Sequence, residues 1–231
     1  MPAKGVIVSA SPFLSEKGFF ILPSKDCRRT VFGARPADCA VGRAQEKMRG
    51  EKVSDVKKQL KVLVSGGAMI ALAQILSYIV LFEMPSGGSV TAASMAPILV
   101  FALLFGTKNG IAAGMIYGLL QFILGPKWSF HPVSILFDYV FAFGMLGVAG
   151  FFNVQKRAQV VLGTVLAVMG RLVCSVISGV VVFASYAPEG QHPLVYSVLY
   201  NAGYLIPELV ITGIVVVLLA PRLYAFSIKE E

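Results

Sequence analysis

The sequence predicts an all-α integral membrane protein of six transmembrane helices with both termini cytoplasmic. Three observations carry this. The 231 residues are 56% hydrophobic and only 14% charged, against about a quarter charged in soluble domains, and the mean hydropathy is +0.76. The apolar residues fall into six separate runs. The basic residues between those runs collect on one side of them. The formal charge of +8 is also lopsided: residues 1–61 hold 13 Lys and Arg against 6 acids, and residues 62–231 hold 7 against 6. A basic excess lying outside the apolar body excludes nucleic-acid binding as the main role. The composition excludes an ordinary cytosolic enzyme.

Residues 1–55 mix Lys, Arg, Ser, Pro and Gly without a sustained period, which predicts a disordered cytoplasmic leader. Its longest apolar stretch, "GFFIL" at 18–22, is too short for a signal-peptide core, so the first span is retained. Met48, followed by "RGEKVSDVKKQLK", reads as a natural start, with residues 1–47 as upstream sequence; starting there leaves a charge of +4. The six-helix membrane domain is then 56–231. The cysteines, Cys27, Cys39 and Cys174, are odd in number and form no CxxC, so neither a disulfide framework nor a zinc site is expected, and no metal or cofactor is assigned.

A bilayer core of about 30 Å asks for roughly 20 apolar residues per helix. The runs 61–82, 92–106, 109–125, 133–152, 159–185 and 194–220 meet or approach that length. The second and third are short and separated only by "GTKNG", which reads as a helical hairpin. With the N-terminus inside, Lys57, Lys58, Lys61, Lys108, Lys156, Arg157, Arg222 and Lys229 lie on the inner side and only Lys127 on the outer, which sets the orientation. The outer loops 83–91, 126–132 and 186–193 are rich in Gly, Pro and aromatics, as suits ordered loops over a pocket. Small residues at spacing four or three mark close helix contacts: Gly110, Gly114 and Gly118 on the third span, Gly144, Gly147 and Gly150 on the fourth. Gly67 and Ala71 on the first span form a similar pair, better placed for an external partner.

Ionisable groups inside spans are expensive and face a cavity or a partner. Here they are Asp138, Arg171 and Glu208, accompanied by Gln74, Gln121, Tyr139, Tyr196 and Asn201. Asp138 lies about 8 Å and Asn201 about 10 Å below the outer starts of their helices. Asp138, Tyr139, Tyr196 and Asn201 can therefore meet near the outer leaflet, in a site open outward and closed below. A carboxylate, an amide and phenols in an apolar pocket suit a small cationic or aminated ring. Asn201 can donate and accept along an amidine-like edge, and Trp128, Phe130, Phe183 and Tyr186 can stack on a heterocycle. The same residues also admit a structural role, with Asp138 paired to Arg171 and Asn201 bonding between helices; Arg171 and Glu208, lying deeper, are read as structural. His131 and His192 lie outside the spans, GxxxxGK[ST] is missing, and no inverted repeat stands out. A binding subunit powered by another protein fits these features, and an enzyme does not.

The stretch "MPSGGSVTAASMAPILVFALLFGTKNGIAAGMIYGLLQFILG" (84–125), then "HPVSILFDYVFAFGMLGVAGFF" (131–152), "RLVCSVISGVVVFASYAP" (171–188) and "YSVLYNAGYLIPELV" (196–210), resembles the thiamine-specific substrate-binding component of energy-coupling factor (ECF) transporters. The resemblance covers about 60–222. It implies capture of thiamine near the outer face of the lipid bilayer, and docking on a transmembrane coupling subunit driven by two cytoplasmic ATPase subunits. It also implies ligand-binding roles for Asp138, Tyr139, Gly179, Tyr196 and Asn201, and a docking role for Gly67 and Ala71. Where some members carry a ring-stacking Trp and a His on the fifth helix, Phe183 and Ser175 align; Phe can still stack, whereas Ser cannot replace an imidazole face. A thiamine precursor such as the hydroxymethyl pyrimidine, or another vitamin, is the alternative ligand for the same architecture.

Overall fold

The computed structural model describes residues 36–84, 88–125, 129–186, 188 and 190–229, with side chains described only between 45 and 225. Expectations that rest on residues 1–35, on Lys127 or on Trp128 lie outside these. The chain divides into two units, Met1–Leu60 and Lys61–Glu231. In the first, the described residues belong to helix α1 (Pro36–Ser77), so 36–55 are helical where an irregular leader was expected. Charge spacing accounts for the difference. Glu46 and Arg49, Lys47 and Glu51, and Asp55 and Lys58 sit three or four residues apart with opposite sign, each pair adding a few tenths of a kcal/mol to a helix. Residues 45–60 are all exposed.

The second unit begins within α1. That helix stops at Ser77, whose Oγ donates back to the Gln74 carbonyl at 2.7 Å, rather than continuing to 82. The apolar residues Tyr78–Phe82, rich in β-branched and aromatic side chains, suit a strand as well as a helix. Strand β1 (Val80–Glu83) pairs antiparallel with β2 (Ser89–Thr91), Val80 facing Thr91 and Glu83 facing Ser89, with an irregularity between Val80 and Phe82. The outer loop expected at 83–91 thus contains the end of β1 and all of β2, paired antiparallel.

Helix α2 (Ala96–Phe105) is only about 15 Å long, and Ala96 to Leu103 are all buried. A helix apolar on every side belongs in the centre of a bundle, and α2 supplies the core residues Ile98, Leu99 and Phe101. Gly106, at φ 85°, makes the turn into α3 (Thr107–Leu124). Helix α4 (Pro132–Phe151) is composite, a π-helical segment at Ile135–Phe141 giving way to a 3-10 segment at Met145–Phe151. Helix α5 (Arg157–Val182) leads through a 3-10 turn at Ala184–Tyr186 to α6 (Pro193–Lys229), which contains Pro207 and Pro221.

These six helices match the six predicted runs in order. Among the described residues four are long and apolar enough to cross a membrane: Gln45–Ser77, Pro132–Phe151, Arg157–Val182 and Pro193–Ala225. Large apolar side chains such as Leu63, Phe141, Val173, Leu199 and Ile214 lie exposed on these four helices, as a lipid-facing surface requires. Glycines close the seam between α3 and α4. A Cβ on Gly114 would strike the Phe143 carbonyl oxygen, one on Gly118 the Tyr139 carbonyl oxygen, and one on Gly147 the Ile111 nitrogen. The two backbones therefore touch, as the small-residue stripes predicted. Gly67 has nothing within 4 Å of where a Cβ would stand, and Ala71 is exposed.

Candidate functional site

A cavity of about 480 Å³ opens among α3, α4, α5, α6 and the hairpin. All six residues expected to bind ligand line it: Asp138, Tyr139, Gly179, Phe183, Tyr196 and Asn201. So does Ser175.

Asp138 and Tyr139 sit in the π-helical segment of α4. A π turn inserts one residue into the helical ladder and re-aims the side chains around it. The Asp138 Oδ2 accepts a hydrogen bond from Ser134 Oγ at 2.9 Å, one turn earlier, and another from Ser178 Oγ on α5. Two neutral hydroxyls thus orient the carboxylate. The Tyr139 ring stands edge-on to Phe122 at 5.3 Å between centroids, and the α3–α4 seam sets its position, because the Tyr139 carbonyl rests against Gly118.

On the opposite wall, α6 presents tyrosines at a spacing of four. Tyr196 stacks with Tyr200 at 6.2 Å, and Tyr200 meets Tyr204 edge-on at 6.0 Å. Asn201 is 6% exposed and is held by its own helix. Its Nδ2 donates to the Ser197 carbonyl at 2.9 Å, and its Oδ1 accepts from the Tyr204 hydroxyl at 2.8 Å. These bonds are intrahelical, unlike the interhelical bond considered from the sequence. Ser197 Oγ donates across to the Val176 carbonyl of α5 at 3.1 Å. A Cβ on Gly179 would land on that Ser197 oxygen, so only glycine lets α5 approach here. Phe183 ends α5 and lies 5.9 Å from the Tyr186 ring, which also lines the cavity.

The sequence reading set Arg171 and Glu208 apart as structural, yet both line this same cavity. The Arg171 guanidinium carbon lies 4.1 Å from the centre of the Phe143 ring, a cation–π arrangement. Its Nε and Nη1 have no hydrogen-bond partner among the described residues. Glu208, 3% exposed, accepts from the Thr91 hydroxyl, and Ser94 Oγ lies 3.1 Å from the same oxygen. Gln121 also faces the cavity, its Nε2 donating to the Tyr117 hydroxyl at 2.6 Å. Tyr200, Tyr204 and Glu208 were legible in principle: with Tyr196 they stand four residues apart and so share one helical face. Thr91 and Ser94 carry no such signal, because they approach Glu208 from more than a hundred residues away.

Residues 63–227 match the family model described as Thiamine transporter protein (Thia_YuaJ). The chain is 38% identical over 183 residues to the thiamine transporter ThiT of Bacillus subtilis (strain 168), an overlap of 72% of this chain and 95% of that relative. Against ThiT of Lacticaseibacillus paracasei it is 29% identical over 189 residues, 72% of this chain and 92% of the relative. The solved structure of ThiT from Listeria monocytogenes superposes with a TM-score of 0.65 at 24% identity, covering 72% of this chain and 98% of that one, a likeness that shows the fold. The relatives are named as transporters, in keeping with the expectation of a non-enzyme. Together with the four apolar helices they make this a multi-pass protein of the cell membrane. The chain belongs to the thiamine transporter protein family.

Proposed function

We propose that this chain is the thiamine-binding membrane subunit of an ATP-driven ECF importer, with six membrane helices and both termini in the cytoplasm. The observation that carries the reading is the cavity beneath the hairpin, where Asp138, Asn201 and aromatic rings face one another. Asp138 and Glu208 against Arg171 leave one formal negative charge, which suits a single positive charge on a small heterocycle. Asn201 offers a donor and an acceptor to an aminopyrimidine edge. Phe183, Tyr139 and the α6 tyrosines give rings on which a heterocycle can stack and a cation can rest. The printed names of the relatives point to thiamine as that heterocycle.

The chain has no phosphate-binding loop of the P-loop kind, so the energy for uptake comes from elsewhere. The exposed Gly67 and Ala71 of α1 offer a smooth strip for a partner helix, consistent with a membrane coupling subunit carrying two ATPases. The test is uptake of labelled thiamine into proteoliposomes. ATP-dependent accumulation is expected only when the coupling subunit and its ATPases are reconstituted with this chain. Accumulation by the chain alone would overturn the ECF reading. Competition by the separated pyrimidine and thiazole halves decides between thiamine and its precursor, since full competition by the pyrimidine alone would favour the precursor.

A further inference from the structure

We propose that Glu208 is a positioning residue that latches the β1–β2 hairpin onto α6 and so governs how long a ligand stays in the cavity. The inference rests on the reading of that cavity as the thiamine site.

Glu208 lies about 22 Å along α6 from its start, well inside an apolar helix, and is 3% exposed. A carboxylate buried there is tolerated only when its oxygens are hydrogen-bonded. The donors come from the segment that joins β2 to α2. Thr91 donates to Glu208 Oε1, and Ser94 Oγ lies 2.7 Å from Thr91 Oγ1 and 3.1 Å from the same carboxylate oxygen. Thr91 is 9% and Ser94 4% exposed.

A second, independent feature marks this segment as held. Ala93, between the two hydroxyl residues, has φ 59°, a left-handed conformation that a non-glycine residue keeps only when its surroundings impose it. Its N–H donates to the Thr91 carbonyl at 2.8 Å, and its carbonyl accepts from Ala96 N–H at 2.9 Å. The Glu208 carboxylate therefore grips a tight turn on both sides of its strained residue.

One turn earlier, two adjacent residues of α6 meet the same hairpin. Gly203 faces Met84, whose Cε would lie 2.6 Å from an added Cβ, and Gly88 lies against the Tyr204 ring, 2.6 Å from Cδ1 on the same measure. These contacts are apolar and tolerate sliding. Glu208 supplies the directional bond among them. Gly88, Ser89 and Thr91 line the cavity, so releasing the latch moves a wall of the site. Irregular backbone at this depth is itself stable only while it is buried in protein or lines a cavity.

The test compares the full-length protein with Glu208→Leu, Glu208→Gln and Thr91→Val by hydrogen–deuterium exchange without ligand, and by thiamine association and dissociation rates. Glu208→Leu is expected to speed exchange of the hairpin amides, among them Met84 and Ala92, about tenfold, while the α3–α4 seam keeps its wild-type rate. Thiamine dissociation is expected to rise about fivefold or more, with association changed much less. Glu208→Gln keeps an acceptor oxygen, so its hairpin amides should exchange at close to the wild-type rate, while any change in its thiamine rates reports the lost charge rather than the latch. Should Glu208→Leu fail to fold, Thr91→Val removes the donor from the hairpin side and must reproduce the faster exchange. In a double variant that folds, it must add little to Glu208→Leu. Hairpin exchange at the wild-type rate in Glu208→Leu or Thr91→Val overturns the latch, even if thiamine binds less tightly, because Glu208 would then act on the ligand directly. Wild-type protein that binds no thiamine would instead defeat the thiamine reading, and the exchange comparison would still decide the latch.

Discussion

Along the seam between α3 and α4, glycine removes side chains so that two backbones meet; between α5 and α6, a single glycine clears space for polar side chains to meet. In the seam, Gly114 and Gly118 rest on the carbonyls of Phe143 and Tyr139, and what lies between the helices is close-packed backbone. Across the cavity, Gly179 admits Ser197, which stands beside Asn201, and what lies between the helices is a chamber of about 480 Å³. One residue type thus serves rigidity on one side and recognition on the other. The two are linked, since Tyr139 and Phe143 line the cavity with their side chains while their carbonyls form the seam. A dry, unyielding contact on the outer flank of α4 lets its inner flank hold a carboxylate in a fixed direction.

The contrast can be broken most forcefully in the seam. Gly114→Leu drives a side chain into the Phe143 carbonyl, and overpacking of this kind should cost about 3 kcal/mol or more. The expected outcome is loss of monodisperse protein on size-exclusion chromatography, whatever ligand is present. Next comes the recognition side. Asp138→Asn keeps the shape and removes the charge, so thiamine affinity should fall about 10- to 100-fold in calorimetric titration while the melting temperature barely moves. Unchanged affinity would remove Asp138 from the site.

Gly179→Ala tests the same wall more gently. The new methyl displaces Ser197 and with it the support of Asn201, for an expected loss of about tenfold in affinity and a fall in melting temperature of about 3 °C. An alanine accepted without either change would mean that α5 and α6 separate freely. The smallest effect on the isolated protein belongs to Gly67→Leu on α1. Nothing lies within 4 Å of its would-be Cβ, so stability should stay within about 0.5 kcal/mol and affinity should not change. If α1 docks on a coupling subunit, however, ATP-driven uptake should drop severalfold in the same variant. Uptake at the wild-type level would place docking elsewhere.

Much of this contrast was legible before the structure, for physical reasons that differ from region to region. Six apolar runs show as six helices because hydropathy and length are properties of local sequence. The glycine stripes of the third and fourth spans announce close packing because period and residue size are enough to imply it. Asp138, Tyr196 and Asn201 could be placed at a common depth from helical rise alone, and the structure brings them to one cavity. What those residues bind is a separate question for titration.

Other features needed coordinates. Tyr78 to Phe82 is equally apolar as helix or strand, so the hairpin hid inside the first run. The π segment at Ile135–Phe141 leaves no trace in hydropathy, since one extra residue per turn does not alter composition. Glu208 was read as structural without partners, because the hydroxyls that hold it, Thr91 and Ser94, are remote in sequence and ordinary in kind. The helix at 36–55 was missed for the opposite reason. Its composition resembles a disordered leader, and only the alternation of charge sign at helical spacing favours a helix.

The central question is whether the chamber beneath the hairpin recognises thiamine. Calorimetric titration of the purified full-length protein with thiamine, riboflavin and biotin answers it most directly. Thiamine should bind at nanomolar to low micromolar concentration, about −8 to −12 kcal/mol, with the other two far weaker and Asp138→Asn reducing the thiamine signal alone. Equal binding of all three vitamins, or none by thiamine, would contradict the assignment.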